Sequence, residues 1–216
     1  MRQATWALLG SVAGRVLDVG CGPGWTLAEL PRQAWGVGLD RQRGEGLPQP
    51  FVMADAHRLP FAAGSFDVVL ALDLLEQREV RPAWVLAEIG RVLRPGGRLL
   101  VRVPAHPWLF GPHDRLWGGA RRYRRRELSA LVAQARFRIC RLTYANCILF
   151  PAEALVRLLA RMGLAATYEG WPLPALLNRL LLTVLQWEAR WLRRRDLPWG
   201  LSLLCLAEKP DRLTCQ

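Results

Sequence analysis

Apolar residues along the chain fall into short runs that end beside acids, and the runs are separated by segments with a helical repeat. Residues 14–24, GRVLDVGCGPG, form the first run, interrupted by Asp18 and closed by glycines; the pattern then starts a helix over 25–32. Strand, turn and helix are predicted there. The runs at 35–39, 51–53 and 66–70 end at Asp40, at Ala54-Asp55 and at Ala71-Leu72-Asp73. Residues 82–93 have Pro82 in the first turn, Val85, Ile89 and Val92 on one face and a Pro95-Gly96-Gly97 stop, which predicts a helix. Further strands are predicted at 99–103, 137–144 and 201–207, with a helix at 126–135 and an irregular Trp- and Pro-rich loop at 104–120. Strands alternating with helices predict an α/β fold whose parallel sheet carries helices on both sides.

Two more helices are predicted at 148–163 and 173–195. The first places Leu155, Leu158, Leu159 and Met162 at i, i+3, i+4 and i+7; the second places Trp187 and Trp191 at i, i+4. With no internal repeat and no Ser- or Gly-rich linker, a single domain over 1–216 is expected, with 146–199 a helical insertion serving as cap or lid. The second helix is expected to pack in the core with a charged end. The alternative is a basic, aromatic face, with Arg190, Arg193, Arg194 and Arg195, lying on an anionic membrane surface.

Composition narrows the function classes. With 51% hydrophobic and 22% charged residues, the 216-residue chain is too apolar to be disordered and long enough to bury a core without staples. Five cysteines without a C-x-x-C pair are expected to be buried thiols, and His57, His106 and His113 are too scattered for a metal site, so no metal is expected. The apolar stretch around 180–185 is far short of the roughly 20 residues of a spanning helix. The N-terminal segment lacks a clear signal-peptide cleavage site, so a cytoplasmic location, with peripheral membrane contact as a variant, is expected. Charge is uneven: residues 1–120 hold 13 Arg against 11 acids, whereas 121–216 hold 16 Arg and one Lys against 7 acids. Either an anionic partner or Arg-rich coding accounts for this excess.

The glycine turn after the first run brings backbone close to a ligand and aims the following helix at it. A dinucleotide fingerprint counted from Gly20 and Gly22 needs a third glycine at position 25, where Trp25 stands. What is present, Asp18-Val19-Gly20-Cys21-Gly22-Pro23-Gly24, resembles the first motif of class I S-adenosylmethionine-dependent methyltransferases. Four further motifs agree in order: Asp40 in GVGLD, Asp55-Ala56 in ADAHRLPF, FDVVLALDLLE over 66–76, and LRPGG over 93–97. The resemblance covers roughly 14–145, with the last strand returning near 200–207.

That resemblance implies a Rossmann-like, doubly wound seven-stranded sheet, its last strand antiparallel, and S-adenosylmethionine as cofactor with S-adenosylhomocysteine as product. It implies a cofactor site built from Asp18, Gly20, Cys21, Gly22, Gly24, Asp40, Asp55, Ala56, Ala71 and Leu72. Asp40 would hold the ribose hydroxyls, Asp55 and the Ala56 N–H would meet adenine, and Ala71 and Leu72 would flank the methionine end. A sulfonium, an ammonium and hydroxyls call for carboxylate acceptors rather than a basic phosphate cradle, so the residue types agree. Trp25 and Leu59 are candidates for cofactor walls or for core.

ALDLLEQ resembles the small-molecule branch that includes quinone-biosynthesis methyltransferases, although Gln77 replaces their histidine. No N-P-P-Y motif follows the fourth strand and no Pro-Cys nucleophile is present, so an RNA acceptor ranks below a small, isoprenoid, quinone or lipid-linked one. In the 104–120 loop and beyond, His113 is the candidate base, set against a structural histidine. Asp114, Arg121, Arg122 and Tyr123 are candidate acceptor contacts, set against a solvated helix entry and packing. A non-catalytic cofactor-binding module is the rival from another class; oligomeric state is left open.

Overall fold

The computed structural model describes residues 2–42, 50–163 and 174–211. Seven strands form one sheet: β1 (Gly14–Val19), β2 (Ala34–Asp40), β3 (Phe51–Met53), β4 (Phe66–Leu72), β5 (Leu93–Pro104), β6 (Arg138–Ala145) and β7 (Ser202–Glu208). Their order is β3-β2-β1-β4-β5-β7-β6. β7 runs antiparallel between β5 and β6, and the other pairs are parallel. This is the seven-stranded, doubly wound sheet with its last strand antiparallel that the resemblance implies.

Period-two alternation in the strands sorts the core into two layers. In β4, Val69 and Ala71 face a cluster that takes Leu86 and Ile89 of α2 (Pro82–Val92) and Leu128 and Val132 of α4 (Arg125–Gln134). Val68 and Leu70 face the opposite cluster, with Leu8 and Leu9 of α1 (Arg2–Leu9) and Leu192 of α6 (Ala175–Leu192). Helix α1 has no counterpart among the predicted elements, although Ala4 and Leu8 at i, i+4 mark its buried side. Chain order reverses at β1, where crossovers leave to either side, so a crevice opens beyond the C-terminal ends of β1 and its neighbours.

Three expectations are corrected. The helix predicted over 25–32 is only a 3-10 turn, Leu27–Glu29, closed by the Leu30 N–H to the Leu27 carbonyl. Pro31 has no N–H with which to continue it. The 104–120 loop holds a 3-10 turn, Pro107–Leu109, and a short helix, α3 (Pro112–Leu116).

The third correction concerns the second inserted helix, α6, expected to pack in the core. Helix α5 (Phe150–Arg161) turns Leu155 and Leu158 outward, 58% and 37% exposed, and Met162 just beyond it is 63% exposed. In α6, Trp187 and Trp191 are 66% and 55% exposed, and the packed side is confined to residues such as Glu188, Ala189 and Leu192. The two helices also occupy different places: α5 lies against α3 and the 107–109 turn, α6 against α1 on one sheet face. The first residue predicted for the second helix, 173, lies outside the described residues. Of the cysteines, Cys21 and Cys205 are buried, Cys147 is half-buried, Cys140 is exposed and Cys215 lies outside the described residues.

Candidate functional site

The turn after β1 is held by Gly20 and Cys21 N–H groups donating to the Leu39 carbonyl at 2.7 and 3.1 Å, which fastens it to the end of β2. Gly20 has φ +74°, and a Cβ there would come within 2.9 Å of Leu74, so no other residue fits without displacing that side chain. The Gly22 N–H donates to Asp40 Oδ2 at 3.0 Å, and the Arg41 N–H to Asp40 Oδ1 at 2.7 Å. The Gln42 N–H adds a longer bond to Oδ1 at 3.4 Å, so Asp40 is fixed by three backbone donors with acceptor capacity left on Oδ2.

Beside this turn opens a cavity of about 560 Å³, within the range of small-molecule sites, lined among others by Gly20, Asp40, Asp55, Ala56, Gln77 and Leu116. A second hollow of about 130 Å³ adjoins it at Gly20, with Asp18, Cys21, Trp25, Leu72 and Arg102 in its wall. Of the residues implied by the motifs, Asp18, Gly20, Cys21, Asp40, Asp55, Ala56 and Leu72 line one hollow or the other. Gly22 and Gly24 shape the turn instead, Gly24 donating to the Cys21 carbonyl at 2.9 Å, and Ala71 is fully buried within β4. Trp25 is a wall, 65% exposed, whereas Leu59 is core.

Electrostatics divides the carboxylates. Asp55 accepts the His57 N–H at 2.9 Å and the His57 ring at 2.6 Å, and pairs with Arg41 at 3.0 Å; these contacts, the backbone one foremost, hold its carboxyl down at about 2. His57 Nε2 in turn accepts the Arg81 N–H at 2.9 Å, which assigns the ring proton to Nδ1. Asp18 is 2% exposed, and its Oδ1 has no hydrogen-bond partner. Burial pushes its carboxyl up to about 7, against the pull of Arg102 and with a smaller push from Asp40. Arg102 itself grips Asp73 with two bonds, at 2.9 and 2.6 Å. Glu76 is also buried with an orphaned Oε2, and burial, then Asp73, raises it to about 8.

Arg41, His57, Glu76 and Arg102 were not among the residues singled out from the sequence. A signal existed for Arg102, a lone cation within the apolar strand LLVRV, and for Arg41, which directly follows the acid at the end of β2.

The loop residues are differently placed. Asp114 and Arg122 form a buried pair at 2.7 Å; Asp114 also accepts the Gly111 N–H at 2.9 Å, and Arg122 donates to the Ala105 carbonyl at 3.0 Å. The Tyr123 hydroxyl donates to the Leu75 carbonyl at 2.8 Å, and its own proton is held up to about 12 by burial first. Arg121 is exposed. His113 lies beside Trp117, with its pKa lowered by burial and then by Arg157. It does not line the large cavity, although Arg115 and Leu116 of the same helix do. His106, not proposed as a site residue, sits in the left-handed region (φ +62°), stacks on Tyr144 and has a buried, unpartnered Nε2. Among the described residues no cluster of three His, Cys, Asp or Glu side chains is placed to hold a metal ion.

Comparison with known proteins gives the family and the fold. A family model described as a methyltransferase domain matches residues 17–101. A demethylmenaquinone methyltransferase of Mycobacterium sp. strain KMS is 32% identical over 218 residues, covering 98% of this chain and 83% of the relative. A second, from Beutenbergia cavernae, is 40% identical over 128 residues, covering 54% of this chain and 52% of the relative. The chain spans about half, or less, of the length of the first curated relatives it matches. Among solved structures, a geranyl diphosphate methyltransferase in complex with its diphosphate and sinefungin superposes with a TM-score of 0.63 at 17% identity, over 96% of this chain and 78% of that one. At that identity the likeness is one of fold.

Proposed function

Because the chain belongs to the class I S-adenosylmethionine-dependent methyltransferases, we propose that it binds S-adenosylmethionine and transfers a methyl group to a small, apolar acceptor. One observation carries this reading: Asp40 and Asp55, from the ends of neighbouring strands, converge on a 560 Å³ cavity beside the Gly20 turn. Asp40 is assigned to the ribose hydroxyls, with Oδ2, which accepts a single backbone bond, as the better acceptor and Oδ1 engaged by two backbone N–H groups. Asp55 and the Ala56 N–H are assigned to the adenine edge, with Asp55 sharing an oxygen with Arg41.

Asp18 supplies the fit at the other end. Its buried, unpartnered Oδ1 faces a polar shortage that an ammonium would remedy, and an ammonium nearby would return the carboxyl to its charged form. When bound, the cofactor supplies a methyl group on a sulfonium, already activated for transfer. The chain then has to hold the acceptor in line at roughly 3–3.5 Å and keep water out.

On the acceptor side His113 is assigned as the base. Burial, then Arg157, lower its pKa, which favours the neutral ring that accepts a proton. Arg121 is exposed and available to an anionic group, while Asp114, Arg122 and Tyr123 are assigned to shaping the wall, since their polar atoms are engaged within the loop. The lid role is given to α5, which lies on α3 beside the cavity, rather than to α6. An isoprenoid or quinone acceptor is supported by the relative matched over nearly the whole chain, a demethylmenaquinone methyltransferase.

The test is transfer of label from methyl-labelled S-adenosylmethionine into a cell extract, split into organic, aqueous and RNA fractions, with Asp40→Ala as control. Label in the organic fraction is expected. Label confined to RNA overturns the acceptor assignment. No label above the control, with S-adenosylhomocysteine still bound, leaves a cofactor-binding module without transfer.

A further inference from the structure

We propose that the outward side of α6, with the arginines that follow it, is a docking surface for an anionic lipid bilayer. Leu176, Leu180, Trp187 and Trp191 are 73%, 56%, 66% and 55% exposed. Their spacing of i, i+4, i+11 and i+15 brings them, at 3.6 residues per turn, into a stripe about 60° wide. The helix is thus apolar on two sides. Glu188, Ala189 and Leu192 close the inner side against the domain, and the stripe faces away.

Charge names the occupant. The only acid in α6 is Glu188, and it is turned inward to accept the N–H groups of Asn146, Cys147 and Ile148. Arg179 and Arg190 flank the stripe, and Arg193, Arg194 and Arg195 follow its C-terminal end, all exposed. Among the described residues no acid pairs with any of the five; the next acid along the chain, Asp196, is bound to Arg141 at 2.6 Å. An outward apolar row bearing tryptophans, a basic flank and no outward-facing acid on the helix itself suit the headgroup level of an anionic membrane, where indole rings settle and basic side chains meet lipid phosphates. Two copies paired through this stripe would bring like charges together. The helix does not cross: no described helix is long and apolar enough. This inference concerns the surface alone and stands or falls apart from the methyl-transfer reading.

The experiment uses the whole chain and co-sedimentation with vesicles of phosphatidylcholine alone or mixed with phosphatidylglycerol, at low and high salt, with tryptophan emission recorded. Binding to the anionic vesicles, a blue shift and release by salt are expected. Trp187→Ala with Trp191→Ala, and Arg190→Glu with Arg194→Glu, are each expected to weaken binding by about tenfold or more. All four positions are exposed, and an unchanged melting temperature verifies the fold. Equal binding to both vesicle types, no binding, or binding that both variants retain overturns the proposal. So does a wild-type dimer in light scattering that the tryptophan variant abolishes, since the stripe then serves a second copy. Loss of vesicle binding with methyl transfer to a soluble acceptor intact would leave the catalytic reading standing.

Discussion

The two sides of the crevice use polar residues in opposite ways. On the β1–β3 side, Asp40 is oriented by backbone N–H groups and keeps acceptor capacity toward an open cavity, and Asp18 keeps a whole oxygen unpartnered. On the loop side, Asp114 and Arg122 consume one another, and the Tyr123 hydroxyl is spent on a main-chain carbonyl. In sequence both sides look like clusters of chemistry-bearing residues. The difference is between groups that backbone holds ready for a ligand and groups that hold backbone in place.

The largest effect that separates them is expected at Arg122. Arg122→Ala leaves Asp114 buried and unpaired, costing about 3–5 kcal/mol of stability in chemical denaturation, while S-adenosylhomocysteine affinity of the folded protein stays within twofold or so. An unchanged stability with slower turnover would break the comparison and put Arg122 on the acceptor. Asp40→Ala is expected to do the reverse, weakening S-adenosylhomocysteine binding by about 1.5–3 kcal/mol in titration calorimetry with little change in melting.

A pH series sharpens the contrast further. Asp18 and Glu76 have folded-state values of about 7 and about 8, above their ordinary 3.8 and 4.5. Each therefore keeps a proton in the native protein that the unfolded chain has released, so their contribution to stability falls as pH rises from about 4 to about 8. Asp55, held at about 2, acts oppositely, its contribution being lost only as pH drops below 3.8 toward 2. Denaturation at pH 5, 6, 7 and 8 is expected to show the decline for wild type and a shallower one for Asp18→Asn; equal slopes would remove Asp18 from the account. The smallest effect is expected for Arg41→Ala. Its ion pairs are exposed and contribute less than about 1 kcal/mol, and the variant is expected to bind S-adenosylhomocysteine at least as tightly because Asp55 no longer shares an oxygen with Arg41.

Much of the cofactor side was legible from the chain. Strand ends, glycines and acids lie close together in sequence, and the register of β1 with β2 sets Val19 beside Leu39, next to the turn that meets Asp40. The short helix predicted after Trp25 failed on Pro31, a local signal that was present but outweighed by the apolar spacing. The loop side was far less legible. Asp114 and Arg122 are eight residues apart, and nothing in PHDRLWGGARRY tells that they are each other's partners rather than a ligand's.

By itself, the sequence determined the succession of strands, the glycine turn and the acids that end β2 and follow β3, because those depend on periodicity and on backbone conformations that few residues allow. Only the tertiary structure decided which charges are spent. Pairing depends on where a side chain lands after folding, and so does burial, which lifts Asp18 and Glu76 toward neutrality. The same holds for α5 and α6: spacing showed an apolar face on each, but a face has a direction only relative to a sheet, and here rows of leucine, methionine and tryptophan point away from it.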